Sequence, residues 1–520
     1  MKALRGAALT LASSVALAFA LRAAAEPVGW WWLLVPALAV AIALGTSGSA
    51  TPVRAGVAFR RAWLFGTCFV FVMLAWLIVP AAAHLGPALF AVAAVFAAIE
   101  ALPMALAGWA FARTRDGAPF GFCLGVPAAY ALLEALRASG PLGLPLATFG
   151  TTQTAGPLAV ALAIGGVPLV TFLALAVAAT AVYLARGARE ATISRRAVAA
   201  TLGLATLAVA ALVVAQVVWY EGLAERDRRP LARVGIVEAG PIDVGRSFAA
   251  SAADYATATA RLPRDIDYAL WPEGVLYLTV SDAAAQRREA AAAARALGRP
   301  LIVGATHRVR GALHNDVVAV DASGGIATVY TKRRLVPFGE YQPFSLGGPK
   351  RANYDAGAAT DEPPIRLDGK NPFSAMICYE VAFSDLSRAS ANTGATYLVA
   401  VLNDSWFAAS DGPYQLAQLQ QARAIESGLA IVRADTVPPS GLVDADGRYV
   451  QTELLGEGEA VVAVPAGLVT PFRRAGPWPA GLVLAAIAAA TLLRPLTRRR
   501  GNDRPEPRRG RSREAVRLRM

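Results

Sequence analysis

The chain has 520 residues, 55% hydrophobic and only 17% charged, against about 25% charged in ordinary soluble domains; its mean hydropathy is +0.44. That balance excludes a disordered protein, and three cysteines in such a length exclude a disulfide-held scaffold. The net charge is +13, but eleven Arg against three acids sit in the tail from Arg494 to Met520, and no basic stripe interleaved with exposed aromatics occurs elsewhere, so no nucleic-acid partner is expected.

From the N-terminus, apolar runs near the length of a bilayer core recur. They predict spans near 7–24, 29–46, 62–82, 87–112, 119–137, 158–185 and 197–219, with an eighth near 477–494. Residues 1–25 also resemble a signal peptide, with Ala23-Ala24-Ala25 as a small-residue cleavage site. Lys2 and Arg5, then Arg54, Arg60 and Arg61, then Arg113 and Arg115, then Arg186, Arg189, Arg195 and Arg196, and finally the Arg-rich tail, fall on alternate loops. By the positive-inside rule both termini are cytoplasmic and the segment after span seven is outside. The expected role of the tail is stop-transfer and orientation. Glu100 falls within span four, where the expected role is a carboxylate hydrogen-bonded inside the bundle. Cys68 and Cys123 also lie in spans and read as small apolar fillers.

Between about 226 and 468 the composition becomes mixed, long enough for one globular domain. Apolar, β-rich runs predict strands over 232–238, 267–271, 301–305, 316–320, 326–330, 373–378, 397–402 and 430–433. Helical periodicity marks 247–261, 283–297, 384–392 and 414–427. Strands alternating with helices predict an α/β domain with sheets sandwiched by helices.

Three segments carry chemistry. Cys378 ends the strand Phe373-Ser-Ala-Met-Ile-Cys378, where a turn would present its thiol above the sheet; alone it reads equally as a core cysteine. Glu273, in Leu270-Trp-Pro-Glu273-Gly, is a carboxylate at a strand end beside an apolar Trp, a setting that raises its pKa toward that of a general base; alone it reads as a surface turn. Lys332, in Tyr330-Thr-Lys332-Arg-Arg-Leu-Val-Pro-Phe-Gly-Glu340-Tyr, would stabilise a thiolate or an oxyanion; alone it is a lysine in a basic turn. Together they supply a base, a charge stabiliser and a nucleophile, which is complete for covalent acyl transfer. His307 and His314 form no Cys–His arrangement, and no metal-ligand cluster or cofactor motif is present, so neither metal nor cofactor is expected.

At these residues the sequence resembles the nitrilase superfamily, whose Glu–Lys–Cys triad sits on an αββα fold. It is more closely similar to its membrane-embedded branch, the bacterial apolipoprotein N-acyltransferases. The likeness is carried by Trp271-Pro-Glu273, the Lys332 to Tyr341 stretch, Cys378-Tyr-Glu380, Asn403-Asp-Ser-Trp-Phe407, Gly150-Thr-Thr-Gln153, Gly165-Gly-Val-Pro-Leu and Thr470-Pro-Phe-Arg-Arg-Ala-Gly-Pro-Trp478. The resemblance implies a seven-span domain (1–225), an extracytoplasmic nitrilase-like catalytic domain (226–468), a last transmembrane helix (469–496) and a basic cytoplasmic tail (497–520) of a bacterial inner-membrane protein, expected to be monomeric. It implies Cys378 as nucleophile, Glu273 as general base and Lys332 as oxyanion stabiliser. Glu340, Tyr379 and Glu380 would support them, and Phe338, Tyr341, Trp406 and Phe407 would line the substrate site or a lid. The implied reaction is ping-pong: a phospholipid, phosphatidylethanolamine, donates an acyl chain to Cys378, and the α-amine of an apolipoprotein's diacylglyceryl-cysteine receives it.

Some stretches depart from that pattern, namely Val237-Glu238-Ala239-Gly240, Leu146, Thr436-Val-Pro438-Pro439-Ser440 and a short 344–356. They bear on acceptor recognition and lid geometry. The competing readings are a divergent acyltransferase with another amine acceptor, a membrane-tethered amidohydrolase whose thioester is resolved by water, and a membrane scaffold or transporter with a relic domain.

Overall fold

A computed structural model describes residues 2–47, 53–116, 119–140, 143–190, 210–211, 214–218, 230–241, 247–342, 353–358, 363–367, 369–451 and 458–492. The N-terminal half is helical: α1 (Lys2–Ala23), α2 (Leu34–Thr46), α3 (Ala55–Met73), α4 (Ala75–Leu85), α5 (Ala88–Glu100), α6 (Leu102–Thr114), α7 (Val126–Arg137) and α8 (Val160–Arg189). Two of these, α3 and α8, are long and apolar enough to cross a membrane, and α5 with α6 forms a third candidate bent by 41°. Shorter apolar helices fill residues 7–23, 31–46, 75–85 and 478–492. The bend follows from Pro103 in the first turn of α6, where the missing N–H and ring disfavour a continuous helix.

Glu100 ends α5 at this bend and pairs with Arg137 at 2.9 Å. Arg137 also donates to the carbonyls of Leu146 and Ala147, both at 3.1 Å. The intramembrane carboxylate is therefore partnered within the bundle, as expected of a charge withdrawn from water. Cys68 is half-buried and Cys123 buried, both in the apolar core. Ala24 and Ala25 are also buried in that core. Most of 197–219 and the whole Arg-rich tail lie outside the described residues; residues 214–218 are helical.

The second half builds two sheets. The first has strand order β11-β1-β2-β3-β4-β5, from β1 (Ala232–Val237), β2 (Tyr268–Tyr277), β3 (Leu301–Val309), β4 (Ala312–Val320), β5 (Ile326–Thr331) and β11 (Glu459–Val464). The second runs β10-β9-β8-β7-β6, from β6 (Phe373–Ile377), β7 (Tyr397–Val401), β8 (Ile431–Ala434), β9 (Gly441–Val443) and β10 (Tyr449–Gln451). β1 to β3 are mutually parallel, as are β6 to β8. All eight predicted strands are present; β9, β10 and β11 add antiparallel edges that the sequence reading had not marked.

The side-chain period of two assigns the faces. In β7, Tyr397, Val399 and Val401 meet Tyr268, Leu270 and Ile302 between the sheets, while Leu398 and Ala400 point the other way, into the core shared with the bundle. In β2, Ala269 and Trp271 face α9 (Phe248–Thr259) and α10 (Ala283–Leu297). On the far side lie α11 (Ser384–Asn392) and α12 (Gly412–Ser427). The result is a four-layer αββα sandwich, the arrangement that buries both faces of a parallel sheet.

The sandwich docks on the bundle through α12. Almost every side chain of this helix is buried, because one face covers the second sheet and the other covers α8. Gly166 breaks α8 at φ +70° just before Pro168, and Glu426 of α12 accepts the freed Val167 N–H at 3.2 Å. α13 (Pro471–Ala475) and α14 (Trp478–Leu492) then return the chain to the bundle.

Candidate active site

Glu273 lies inside β2, not at a strand end. The pairing of β2 with β3 slips between Trp271 and Leu276, so a bulge admits Pro272 and turns Glu273 out of the regular alternation. Trp271 packs on the helix layer, its ring tilted against Tyr255 at 5.6 Å and its indole N–H donating to the Thr259 hydroxyl at 2.9 Å. The expected Trp271 wall is thus replaced by burial within the sheet itself. Gly304 on β3 makes this possible: a Cβ there would lie 2.3 Å from the Glu273 Cα.

Lys332 follows β5 directly and is 1% exposed. Its ammonium donates to Glu273 Oε1 at 3.3 Å and to Glu340 Oε1 at 2.8 Å. Asn315 of β4 donates to the same two oxygens, at 2.7 Å and 2.8 Å. Glu340 closes its own turn by accepting from the Val336 N–H at 2.8 Å. Two carboxylates, one ammonium and one amide therefore form a single buried cluster.

Cys378 begins the short helix Cys378–Ala382 after β6, with φ +49°. A left-handed backbone at a non-glycine residue stores strain and is common where a side chain must project from a sharp turn. Glu380 holds that turn. It is fully buried and accepts from the Ile377 N–H at 2.9 Å, the Arg333 N–H at 2.7 Å, the Arg334 N–H at 3.1 Å and the Tyr330 hydroxyl at 2.8 Å. One carboxylate thus ties the Cys378 turn to the segment that carries Lys332.

Electrostatics follow from burial. Burial pushes the Glu273 carboxyl up, against the pull of Lys332, and Glu340 adds to the rise. Burial alone would lower Lys332, but Glu273 and Glu340 more than reverse this and hold it charged. Burial and the Glu273 charge push the Cys378 thiol well up, with Lys332 opposing. The Cys378 thiol is therefore held neutral within electrostatic reach of one carboxylate and one ammonium, groups able in kind to take a proton and to meet negative charge.

The remaining residues line the surroundings. Tyr379 donates to the Gly143 carbonyl of the bundle at 3.3 Å and packs edge-on to Phe383. Phe338 takes φ +64°, is 53% exposed and donates its N–H to the Tyr341 carbonyl. Phe407 meets Trp76 of α4 edge-on at 4.9 Å, and Trp406, 67% exposed, meets His84 at 5.8 Å. Tyr379, Trp406 and Phe407 therefore sit where the sandwich meets the bundle. His307 bonds Asp316 and His314 bonds the Asp355 carbonyl, apart from the triad. Among the described residues no group of His, Cys, Asp and Glu could hold a metal.

Sequence reasoning missed Asn315, Tyr330 and Asp404. Asn315 stands one residue before the expected start of β4, and no spacing rule marks an amide as a carboxylate's partner. Asp404 lies within a quoted motif, but only the fold brings its charge to bear on Cys378.

The αββα sandwich seated on an apolar bundle defines a membrane-associated branch of the carbon–nitrogen hydrolase class. Residues 242–492 match the carbon-nitrogen hydrolase family, and residues 17–180 match the apolipoprotein N-acyltransferase N-terminal domain. The apolipoprotein N-acyltransferase of Caulobacter vibrioides is 32% identical over 80% of this chain and 82% of its own. Those of Pseudomonas paraeruginosa and Methylococcus capsulatus are each 30% identical over 94% of this chain and 95% of theirs. An amidase of the nitrilase superfamily from Nesterenkonia AN1 aligns at 20% identity over 46% of this chain and 92% of its own, with a TM-score of 0.35. The chain belongs to the apolipoprotein N-acyltransferase family.

Proposed function

We propose that this protein moves a fatty acyl chain from a membrane phospholipid to the α-amine of a diacylglyceryl-cysteine through a thioester on Cys378. Glu273 takes the Cys378 proton as sulfur attacks the donor ester carbonyl. Lys332 stabilises the tetrahedral oxyanion. Glu273 then returns the proton to the departing glycerol oxygen, which leaves as lysophospholipid. In the second half the amine attacks the thioester, Glu273 accepts the amine proton, and the thiol is restored. Glu340 and Asn315 orient Lys332 and Glu273, and Glu380 fixes the nucleophile turn. Tyr379, Phe338, Tyr341, Trp406 and Phe407 line the approach for the two lipid substrates, with phosphatidylethanolamine as donor.

The observation that carries this reading is the buried Glu273–Lys332 pair, from a strand bulge and a strand end, lying within electrostatic reach of Cys378 on its strained turn in a chain from this family. The wider organisation belongs to the same proposal. Eight spans, divided as 1–225, 226–468 and 469–496 with a cytoplasmic tail from 497 to 520, put the triad on the periplasmic face of the inner membrane at headgroup height. Support comes from the alternation of Arg-rich loops. The protein acts as a monomer, since the cluster draws on one chain.

The test is intact-mass analysis of the purified protein with phosphatidylethanolamine, before and after a diacylated lipopeptide. The parent gains one fatty acyl group, Cys378→Ala gains none, and the lipopeptide discharges the adduct onto its amine. An adduct that only water discharges would make the protein a hydrolase. No adduct on folded protein would overturn acyl transfer by Cys378.

A further inference from the structure

The turn Asn403–Phe407 leaves the end of β7 and stands against the triad: the Glu273 N–H donates to the Leu402 carbonyl at 3.2 Å, and Asp404 bears electrostatically on Cys378. Its outer end reaches α4 through Phe407 on Trp76 and Trp406 on His84. Trp406 is a large amphipathic ring, exposed at the end of an apolar helix, a position suited to a lipid boundary.

What holds this turn is a buried polar cluster after β8. Asp435 Oδ1 accepts from the Asp404 N–H at 3.0 Å and from the Thr436 N–H at 2.7 Å. Arg433 donates to Asp404 Oδ2 at 2.7 Å, to Asp435, and to the Pro439 carbonyl at 2.7 Å. The Thr436 hydroxyl donates to Asn403 Oδ1 at 3.0 Å and lies 2.8 Å from the Ser405 hydroxyl. Ser440 accepts from the Asp435 N–H at 3.0 Å, and its carbonyl accepts from the Tyr449 hydroxyl at 2.8 Å. Glu238 bonds Ser440 as well. Arg433, Asp404, Asp435 and Thr436 are all fully buried. Glu238 and Thr436 to Ser440, two separate departures from the family pattern, thus meet in one network. Among the described residues of this network only Asp404 Oδ1 and Arg433 Nη1 lack a partner; the bonds that are made favour one geometry, because loosening any of them would leave a further buried donor or acceptor unmade.

We propose that this cluster, through Thr436 and Asp435, is a positioning device that sets Trp406 and Phe407 for admission of the lipid acyl donor. It rests on the reading of Cys378 as the acylated residue. Within the cluster Asp404 bears on Cys378, whereas the Thr436 hydroxyl bonds, among the described residues, only Asn403, Ser405 and Asp435, so loss of that hydroxyl loosens the lipid path while the nucleophile keeps its surroundings.

The test compares Thr436→Val, Thr436→Ser, Trp406→Ala and the double variant Thr436→Val with Trp406→Ala, all in the full chain. Transfer kinetics against phosphatidylethanolamine are measured beside the rate at which iodoacetamide alkylates Cys378. Thr436→Val and Trp406→Ala each raise KM for the phospholipid by about tenfold, and the double variant also by about tenfold, because both act through one element. Thr436→Ser restores the parent KM, and alkylation is unchanged in every variant. Multiplicative effects in the double variant, a slower alkylation matching the loss of transfer, or no change in KM would each overturn the proposal. Cys378→Ala separates the two readings. If it still transfers acyl chains, the thioester reading fails; if it is inactive while Thr436→Val behaves as the parent, only the positioning role fails.

Discussion

At the residue scale, the chemistry of the site is set by how little water reaches it. A thiol in bulk water is partly ionised near its ordinary pKa, but burial holds the Cys378 proton in place. On the proposed mechanism attack requires a base at hand, and Glu273, raised by the same burial, is better matched to that task than an exposed carboxylate. The sign of the pH dependence follows. As the proposed base Glu273 acts ionised, so activity should rise with pH through its titration, and the acid limb of kcat/KM should lie above the ordinary carboxylate range. An acid limb at or below about 4, where exposed carboxylates titrate, would remove Glu273 as the base. Glu273→Gln keeps the shape but cannot take a proton. It loses thioester formation by at least about 10²-fold, the usual worth of general base catalysis, read as the rate of acyl adduct appearance by mass.

Glu238 makes a separate prediction at this scale. Burial pushes it up to about 7. The folded state then holds a proton that the unfolded chain releases near 4.5. Stability contributed by the protonated form is complete below that lower value and is lost as pH rises toward 7. The difference in thermal midpoint between the parent and Glu238→Gln should therefore widen from pH 4.5 to 7, with Glu238→Gln the flatter of the two. A constant offset across that window would contradict it.

At the scale of elements, the triad depends on approaches that single side chains permit. β2 and β3 run side by side only because Gly304 has no side chain to meet the Glu273 backbone. Gly304→Ala should displace Glu273 by a fraction of an ångström or more. Activity should drop about 10²-fold, the cost of a misplacement near 1 Å, with the circular dichroism of the sandwich retained. The Tyr330 hydroxyl is one of four donors to Glu380. Tyr330→Phe removes the bond to the Glu380 carboxylate and the one from the Arg333 guanidinium and should cost about 1.5–3 kcal/mol of stability, seen in thermal unfolding, while the three backbone bonds keep the Cys378 turn in place and activity within a few-fold.

At the scale of the molecule, the bundle and the sandwich are one mechanical unit. α12 is buried on both faces, and Glu426 satisfies the backbone break in α8. Below the site, Arg137 joins Glu100 to the carbonyls of Leu146 and Ala147, a few residues from the Gly143 carbonyl that receives Tyr379. Arg137→Ala strands a largely buried carboxylate and should destabilise the protein by about 3–5 kcal/mol. A fall in the thermal midpoint of the detergent-solubilised protein checks this, and Glu100→Gln in the same background should recover part of it.

The two halves of the chain were legible from residue order because their signals are local. Apolar runs, Arg-bearing loops, alternating strands and the three chemistry-bearing segments each occupy a few consecutive positions. The three candidate positions were readable because Glu273 sits beside a Trp-Pro, Lys332 in a basic turn and Cys378 at a strand end, each with its own signature. What the amino-acid order left open is what depends on distance in the fold. The bulge that turns Glu273 away from Trp271 arises from β3, thirty residues on. Asn315 becomes a partner of Glu273 and Glu340 only when β4 closes beside β5. The edge strands β9 and β10 are three residues long, too short to carry a period. The Arg433, Asp404 and Asp435 cluster exists because two strand ends of one parallel sheet finish side by side. Local physics thus determined the elements and the candidate chemistry, whereas their register, burial and charge partners were decided by long-range packing, which no short window of sequence contains.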